Sequence, residues 1–291
     1  MIDTVTIGNL GNADDTHGDG YGGVDYAYNI GKYEVTAGQY TKFLNAVAVE
    51  DTYGLYNTSM SSSFGCKIRR TGSSGSYVYL VDADGDDVED ADWLDRPVNY
   101  VSWGDAARFA NWMHNGQPTG AQELSTTEDG SYFLDGAMSD AELMAVVREP
   151  DATWVLPSED EWYKAAYHYN DGATGNYWDY PTGNDSVPSN ALVEPIDPGN
   201  NVTFYDGGYT IGSPYYRTEV GAHENSNSPY GTSDQGGNVW EWNEAVIGCC
   251  RGLRGGSFDL GDTSLRAATR DDDNPAFEDI IDIGFRLAEV P

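Results

Sequence analysis

The stretch Gly236-Gly-Asn-Val-Trp-Glu-Trp-Asn-Glu-Ala-Val-Ile-Gly-Cys-Cys-Arg-Gly-Leu-Arg254 decides the fold. In it, Trp240 and Trp242 alternate with Glu241 and Asn243, which is the pattern of a β-strand with two different faces. The tryptophan face has a large apolar area that must be buried. The opposite face carries carboxylate and amide oxygens of the kind that bind Ca²⁺. We therefore expect this strand to be the rigid centre of a compact domain.

The charge of the chain excludes two classes of partner. Its 291 residues include 48 acidic and 15 basic side chains, which gives a net charge of −33. Nucleic acids and anionic membrane surfaces require basic patches, so we predict neither as a partner. The acidity fits simple solubility, and it also fits a calcium-rich or saline exterior or a cationic partner. We predict no transmembrane segment, because the sequence contains no apolar run of about 18 residues.

Cysteine and histidine do not form a recognisable metal or disulfide framework. Cys66, Cys249 and Cys250 are too few for a disulfide scaffold, and adjacent cysteines rarely bond each other, so Cys66 could pair with one of the other two. No Cys-x-x-Cys occurs and the histidines are isolated in sequence, which argues against zinc. The acidic run 82–87 lacks the glycine and the final glutamate of an EF-hand loop, and we interpret it as solvated acid.

Hydrophobic period and capping signals predict a mixed α+β chain. Capping-box patterns followed by apolar residues at helical spacing predict helices after Thr36, Ser102 and Ser158. A further short helix is predicted near 140–147. Strands are predicted at 3–8, 25–35, 238–243, 251–258 and 283–288. The stretch 169–235 has little period, so a metal ion or its own aromatic residues must hold it in place.

Six motifs that occur in the family's order resemble the formylglycine-generating enzyme and sulfatase-modifying-factor superfamily, whose fold is a variant of the C-type lectin fold. They are Tyr33-Glu-Val-Thr36, Arg96-Pro-Val98 with Val101-Ser-Trp103, Leu156-Pro-Ser-Glu159 with Glu161-Trp162, Gly237-Asn-Val-Trp-Glu-Trp242, Arg254-Gly-Gly-Ser-Phe258 and Gly284-Phe-Arg286. The resemblance implies one α+β domain over residues 1–291, with few short helices, small antiparallel sheets and much irregular structure. Residues 50–95, expected to be irregular, and 115–150 are then insertions.

The resemblance also implies two calcium sites. One matches Asn238, Val239 and Glu241, where two side-chain oxygens and a main-chain carbonyl suit a hard cation. The alternative is that Asn238 and Glu241 bond to the backbone. The second site would use Asn190 and Asp206 with nearby main-chain oxygens, and it would explain how the stretch 169–235 stays ordered.

The catalytic chemistry of the superfamily does not carry over. Formylglycine-generating enzymes bind copper through two cysteines just after the Gly-Gly-Ser-aromatic motif, because Cu(I) prefers thiolates. Here residues 259–265 contain no cysteine, and Cys249 and Cys250 lie upstream of the motif. The related sulfoxide synthases need a histidine cluster on an additional domain that this chain lacks. We therefore predict a non-enzymatic protein that binds calcium and not copper.

The C-terminal segment 249–291 is the predicted ligand-binding region. Its residues 259–282 interleave a fixed frame with small, acidic and apolar residues, a composition unsuited to a core or a strand. This pattern resembles the variable region of proteins diversified by retroelements; the alternative is a structural loop packed over the central strand. Tyrosines and tryptophans from 169–230 are expected to rim the surface. The predicted ligand-binding residues are Cys249, Cys250, Asp259, Leu260, Asp262, Thr263, Thr269, Asp271, Asp272, Asp273, Phe277, Asp279, Ile280, Ile281 and Asp282.

The most concrete functional hypothesis is a secreted or cell-surface protein that binds a protein or a glycan. The end Glu289-Val-Pro291 resembles the start of a bacterial sorting tail, and Met1 directly precedes a predicted strand, so we expect that targeting segments have been trimmed. Two alternatives stay open. One is an oxidoreductase that uses Cys249 or Cys250 with His223 or Glu244. The other is an acidic structural protein of a surface layer.

Overall fold

The fold is described from a computed structural model, which covers residues 2–16, 20–277 and 280–291. The helices are α1 (Ala37–Val47), α2 (Ala91–Leu94), α3 (Trp103–His114), α4 (Asp140–Ala145) and α5 (Glu159–Tyr167), with 3-10 turns at Thr58–Ser61 and Asp262–Leu265. The strands are β1 (Thr4–Ile7), β2 (Tyr28–Gly31), β3 (Ile68–Thr71), β4 (Val78–Val81), β5 (Trp154–Val155), β6 (Trp240–Ile247), β7 (Cys250–Arg254), β8 (Asp271–Asp273), β9 (Ile283–Gly284) and β10 (Ala288–Glu289).

The predicted helix starts are confirmed. At each one, a hydroxyl side chain accepts from the backbone N–H three residues on, and that residue's side chain accepts from the cap's own N–H. These capping boxes join Thr36 to Gln39 before α1, Ser102 to Asp105 before α3, and Ser158 to Glu161 before α5. The short helix expected near 140–147 is α4, with a capping box of its own. Within the described residues, every helix is too short or too polar to cross a bilayer.

Two small sheets bring distant parts of the chain together. The order β1-β2-β10-β5 places both ends of the chain beside each other, since Ile30 pairs with Val5 on one side and with Ala288 on the other. The second sheet has the order β8-β7-β6-β9, in which only the β6–β9 pair is parallel. Residues 50–95 are less irregular than predicted, because β3 and β4 form an antiparallel hairpin there.

Both faces of the first half of β6, residues 240–243, are buried, where the sequence indicated one buried and one polar face. Trp242 donates its indole N–H to the carbonyl of Val101 at 3.0 Å. On the other face, Glu241 is wholly buried and accepts hydrogen bonds from the guanidinium of Arg286, Nε and Nη2 each at 2.6 Å, and from the indole of Trp162 at 2.7 Å. The polar face is therefore closed by side chains from α5 and from the chain's C-terminal end.

Strand β8 corrects the expectation that the aspartate run is unsuited to a strand. Asp271, Asp272 and Asp273 pair with Leu253, Gly252 and Arg251 of β7. They form an edge of the sheet, and Asp271 and Asp272 are exposed. Charged side chains are tolerated on an edge strand because backbone pairing supplies the order and water solvates the charges. Composition alone misses such a strand, since its stability comes from its neighbour.

The largest buried cluster joins the first sheet to the helices and to the C-terminal strands. Phe109 of α3 is central, with ring centroids 5.2 Å from Phe43 of α1 and 5.4 Å from Phe285. Tyr40 packs on the same group. This aromatic core holds the segment that contains Arg286 in register against β6.

The Arg286→Met variant tests whether Arg286 compensates the buried charge of Glu241 on the polar face of β6. Without the guanidinium, the carboxylate of Glu241 is left buried and unpaired, so we expect the free energy of unfolding to fall by about 3–5 kcal/mol. The matched control is Asp262→Asn, whose 3.7 Å ion pair with Arg266 joins side chains that are 38% and 48% exposed. That control should lose less than about 1 kcal/mol. Chemical denaturation measures both, and equal losses would contradict the assignment.

Candidate functional site

The predicted ligand-binding residues fall into several groups, of which two lie near β7. The first, the hairpin-end cluster, consists of Cys249, Cys250 and the β8 residues 271–273. The second lies beyond Arg254, where Asp259 and Leu260 meet two tyrosines from a distant part of the chain. The sheet geometry therefore does not combine all the predicted residues in one surface.

The adjacent thiols of the hairpin-end cluster lie close together. Cys249 is exposed and Cys250 is buried, with 3.1 Å between their sulfur atoms. The hydrogen bond with Cys249 is the main reason that the pKa of Cys250 is raised to about 12, with burial and Asp272 adding to it. Thiolate, the nucleophilic and metal-binding form, is therefore disfavoured at Cys250 at neutral pH.

The residues suggested as catalytic partners for these thiols lie elsewhere. His223 is buried, its Nε2 is 3.1 Å from the hydroxyl of Thr203, and burial lowers its pKa. Glu244 accepts hydrogen bonds from Arg148 at 2.9 Å and from Tyr132 at 2.6 Å. Among the described residues, no hydrogen bond joins a cysteine to His223 or Glu244. The structure does not assemble this alternative site.

Two tyrosines, an aspartate and a leucine form the second region, which we call the tyrosine patch: Tyr205, Tyr209, Asp259 and Leu260. Tyr205, Tyr209 and Leu260 are 41%, 37% and 38% exposed. The tyrosine ring centroids are 5.3 Å apart, Tyr209 donates its hydroxyl to Asp259 at 2.8 Å, and Tyr205 donates its N–H to the carbonyl of Leu260 at 2.9 Å. The bond to Asp259 raises the pKa of Tyr209 to about 12.

An aromatic layer supports the tyrosine patch from below. The ring of Tyr216 lies 5.2 Å from that of Tyr209, 4.6 Å from Phe64 and 6.1 Å from Phe258. Tyr216 has a φ of 59°, a left-handed conformation that is costly for a bulky residue. The guanidinium of Arg217 stacks 5.5 Å from the Phe258 ring. The strained backbone is thus held by ring packing, which keeps the exposed tyrosines in place.

The sequence predicted an aromatic rim from 169–230 without naming its members. Tyr209 reaches Asp259, and Tyr205 reaches Leu260, only because the chain folds back over about 50 residues, so no local signal marks the two tyrosines. The sequence signal for them is indirect. They lie in a Gly-rich, irregular stretch, and such a stretch needs contacts that anchor it inside a compact domain.

The last predicted residues before β9 are partly covered. Ile280 and Ile281 are half-buried against the main core, and the carbonyl of Ile281 accepts from the side chain of Asn99. Asp282 accepts from the hydroxyl of Ser257, and burial is the main reason that its pKa is raised. These three residues contribute more to packing than to an open surface.

The remaining predicted residues lie around the 3-10 turn and beyond β8. Asp262 forms the exposed ion pair with Arg266, and the hydroxyl of Thr269 donates to the carbonyl of Thr263. Phe277 is exposed, and Asp279 lies outside the described residues. Ligand binding by this group stays a prediction.

Both side chains of the first predicted calcium site already have partners. The side-chain oxygen of Asn238 accepts from the N–H of Thr218 at 3.0 Å and from its hydroxyl at 3.2 Å. The carboxylate of Glu241 is neutralised by Arg286. A guanidinium beside the carboxylate repels a second cation, so Asn238, Val239 and Glu241 do not fit a calcium ion in this arrangement.

The second predicted calcium site has a more suitable set of donors. The side-chain amide of Asn190 faces the carbonyl oxygens of Phe204 at 3.3 Å and Gly208 at 3.0 Å. The N–H of Asp206 donates to the same Gly208 carbonyl at 3.1 Å, and Asp206 itself is exposed. Rotation of the amide by half a turn would direct its oxygen at the two carbonyls. These residues fit a hard cation that prefers oxygen ligands.

The acidic run 82–87 forms a compact loop. Oxygens of Asp82, Asp84 and Asp86 lie within 4.8 Å of one another, the one such set among the described residues. Asp82 is buried, pairs with Arg69 and accepts from the N–H of Gly85. Hydrogen bonds and an ion pair within the hairpin thus order the loop, and its interpretation as solvated acid stays a prediction.

Comparisons with known proteins agree with the architecture. Residues 23–290 match the family described as the sulfatase-modifying factor enzyme 1-like domain. Variable protein 1 of Treponema denticola has a similar fold, with a TM-score of 0.57 and 20% identity over 100% of this chain and 95% of that one. CarF (TM-score 0.54, 22% identity, 100% and 99% covered) and PvdO from Pseudomonas aeruginosa (0.51, 17%, 100% and 92%) are also similar. No curated protein matches the sequence.

Thiol reactivity tests the geometry of the hairpin-end cluster. At neutral pH, iodoacetamide should alkylate the exposed Cys249 at least about ten times faster than Cys250, because reactivity follows exposure and thiolate fraction. The Cys249→Ala variant removes the hydrogen bond that raises the pKa of Cys250, so alkylation of Cys250 at pH 9 should accelerate. Mass spectrometry of peptides reports each site, and buried Cys66 is the internal control. A fast-reacting Cys250 in the unmodified protein would contradict the arrangement.

Proposed function

Because the chain belongs to the sulfatase-modifying factor enzyme 1-like family, we propose that it is a non-catalytic, secreted or cell-surface member that binds a protein or a glycan through its C-terminal segment. The family contains enzymes, yet residues 259–265 have no cysteine with which to bind copper. The raised pKa of Cys250 also argues against a substitute thiolate site upstream. Binding then replaces catalysis on the same framework.

The tyrosine patch is the observation that carries this proposal. Its residues Asp259 and Leu260 lie directly after the Arg254-Gly-Gly-Ser-Phe258 motif, where the family's oxidases are expected to hold their cysteines. Three large side chains are exposed together, and an aspartate joins them by a direct hydrogen bond to Tyr209. Tyrosines supply contact area and hydrogen bonds at a low cost in conformational entropy, as in antibody binding sites.

Buried arginine contacts hold the backbone beneath this surface. Arg254 is buried, pairs with Glu159 at 2.6 Å, and donates to the carbonyls of Ala267 at 2.8 Å and Thr269 at 2.7 Å. Arg270 pairs with the same glutamate. Side chains that point outward between Arg254 and Arg270 can therefore be substituted while the backbone keeps its conformation. This supports the hypothesis of a variable segment, and the similarity to a variable protein concerns the fold alone.

The chemistry of the surface favours a basic partner. Asp259 lies in the tyrosine patch, and the exposed Asp271 and Asp272 lie on the edge strand β8 of the second sheet. The chain carries a net charge of −33, so its field attracts cations and repels anions over several ångströms of solvent. A protein with a basic surface patch therefore fits better than an anionic glycan.

Calcium is proposed as the brace for the loop that carries the patch. Asn190, the Phe204 carbonyl and the Gly208 carbonyl flank Tyr205, so an ion bound there would fix the backbone of the patch. For the oxidoreductase alternative, the 3.1 Å separation of the two thiols is the one favourable feature, and the raised pKa of Cys250 and the separate engagement of His223 and Glu244 oppose it.

Binding measurements with patch variants test the proposal. Arrays of extracellular proteins and glycans would identify ligands, and Tyr209→Ala should weaken each true ligand by about 30-fold or more, as expected when a central aromatic is lost. Phe133→Ala removes another exposed aromatic, which lies beside His114 and Glu149 and not in the patch, and should leave the affinity unchanged. A ligand that binds Tyr209→Ala and the unmodified protein equally would contradict the role of the patch. Copper-dependent oxidation of a cysteine peptide would contradict the non-catalytic assignment.

Thermal unfolding with and without calcium tests whether the ion binds at Asn190 and stabilises the folded loop. Calcium at about 100 times its dissociation constant should add about 2.7 kcal/mol to the free energy of unfolding, since only the folded loop binds it. Asn190→Ala should abolish this gain. The double variant Asp84→Asn/Asp86→Asn should keep it, because those residues belong to the other acidic loop. If the gain disappears only in the double variant, calcium binds at 82–86 and the proposed brace is wrong.

A further inference from the structure

The turn between β6 and β7 presents the two adjacent thiols at the tip of a hairpin. Ile247 pairs with Cys250, so Gly248 and Cys249 alone connect the two strands. Gly248 has a φ of 61°, and a glycine with positive φ at this position suits a two-residue hairpin turn. Among the described residues outside the turn, no heavy atom lies within 4 Å of where a Cβ on Gly248 would be. The tip therefore projects into solvent.

The two thiols differ in their access to solvent and in their protonation. Cys249 is exposed, whereas Cys250 is only 8% exposed. The hydrogen bond with Cys249 raises the pKa of Cys250 to about 12, so Cys250 keeps its proton at neutral pH. Cys66 is fully buried in the main core. A reagent in solvent therefore meets Cys249 first, and Cys250 lies directly behind it.

The separation of the sulfur atoms favours a bond between them over a shared metal ion. Two thiolates on a tetrahedral zinc ion, each about 2.3 Å from the metal, lie about 3.8 Å apart. Here the distance is 3.1 Å. Among the described residues, no third histidine, cysteine or carboxylate ligand atom lies within 4.8 Å of both sulfur atoms. A disulfide bond, at about 2.05 Å, requires the sulfur atoms to approach by about a further 1 Å.

We propose that Cys249 and Cys250 form a thiol–disulfide exchange site that reduces a small cationic or neutral disulfide and closes into a bond between the two residues. In the first step, the thiolate of Cys249 attacks one sulfur of the compound R–S–S–R, which forms a mixed disulfide and releases RS⁻. In the second step, Cys250 loses its proton and attacks the Sγ of Cys249, which releases the second RS⁻. The two thiol protons end on the two RSH products, so the cysteines are oxidised and the compound is reduced.

The contact between the thiols makes the second step possible. Cys250 has little thiolate at neutral pH, but it is held against the sulfur that it must attack, and such proximity replaces a bimolecular encounter. The product joins neighbouring residues in a small ring that includes their peptide bond. Strained and exposed disulfides are easily reduced, so the bond should form and reopen as a reversible element of the hairpin.

The charge around the hairpin tip selects the compound. Asp272 of β8 contributes to the raised pKa of Cys250, and its side chain is exposed. Arg251, the basic residue next in sequence, is buried and donates to the carbonyls of Leu143 at 2.8 Å and Val146 at 2.6 Å. Its guanidinium is thus committed inside the protein. Anionic disulfides are therefore repelled from the tip and cationic ones are attracted, most strongly at low salt.

Reaction of the reduced full chain with cystamine, a small cationic disulfide, tests the proposal. Peptide mass spectrometry after alkylation should show Cys249 and Cys250 joined, with the loss of two hydrogen atoms, while Cys66 stays reduced. Rates are divided by those of a capped Gly-Gly-Cys-Gly-Gly peptide to remove intrinsic differences between compounds. At low salt, cystamine should then exceed the anionic glutathione disulfide by at least about threefold, with neutral 2-hydroxyethyl disulfide between them.

Several outcomes of this reaction would contradict the proposal. A mixed disulfide that persists on Cys249 while Cys250 is still alkylated would exclude closure of the ring. Chains cross-linked to each other through Cys249, or no reaction in the time that the peptide needs, would exclude the exchange site. Equal normalised rates for cystamine and glutathione disulfide would overturn the selection by charge.

Variants assign the steps to the two thiols. Cys250→Ser should stop at the mixed disulfide on Cys249, and Cys249→Ser should react at least about tenfold more slowly, because the exposed thiol is gone. Asp272→Asn should reduce the advantage of cystamine, and Asp84→Asn, a matched change in the other acidic loop, should keep it. An unchanged rate in Cys249→Ser would show that the attacking thiol is assigned wrongly. Tyr209→Ala should react normally, which separates this site from the tyrosine patch.

Discussion

The buried ion pair between Glu241 and Arg286 is the constraint on which the rest of the structure depends. Arg286 also donates to the carbonyls of Gly31 at 2.9 Å and Ser233 at 3.0 Å, while Glu241 accepts from Trp162. One guanidinium thus links the central strand, the first sheet and the loop before the central strand. Since a buried charge is costly without its partner, these segments must come together as a unit.

Buried arginine–glutamate ion pairs recur through the protein, and they affect how much of the chain's charge lies on its surface. Arg254 pairs with Glu159, and Arg108 pairs with Glu128 at 2.7 Å, with both partners buried. Six of the 15 basic residues are buried arginines: Arg96, Arg108, Arg217, Arg251, Arg254 and Arg286. The acids that remain on the surface therefore face solvent with few neighbouring cations. The surface is more strongly attractive to cations than composition alone indicates.

The proposed binding surface uses this acidity directly. The tyrosine patch offers a broad, exposed area in which Asp259 is fixed by Tyr209. An area of this kind suits a large partner with basic side chains.

The sequence by itself determined the helix starts, the central tryptophan strand and the family, because these depend on residues a few positions apart. It also indicated a C-terminal binding segment with an aromatic rim. Only the tertiary structure decided that Arg286 neutralises Glu241 across 45 positions, that Tyr209 meets Asp259 across 50, and that the aspartate run 271–273 becomes an edge strand. Such pairings depend on the paths of intervening loops, which local spacing does not encode.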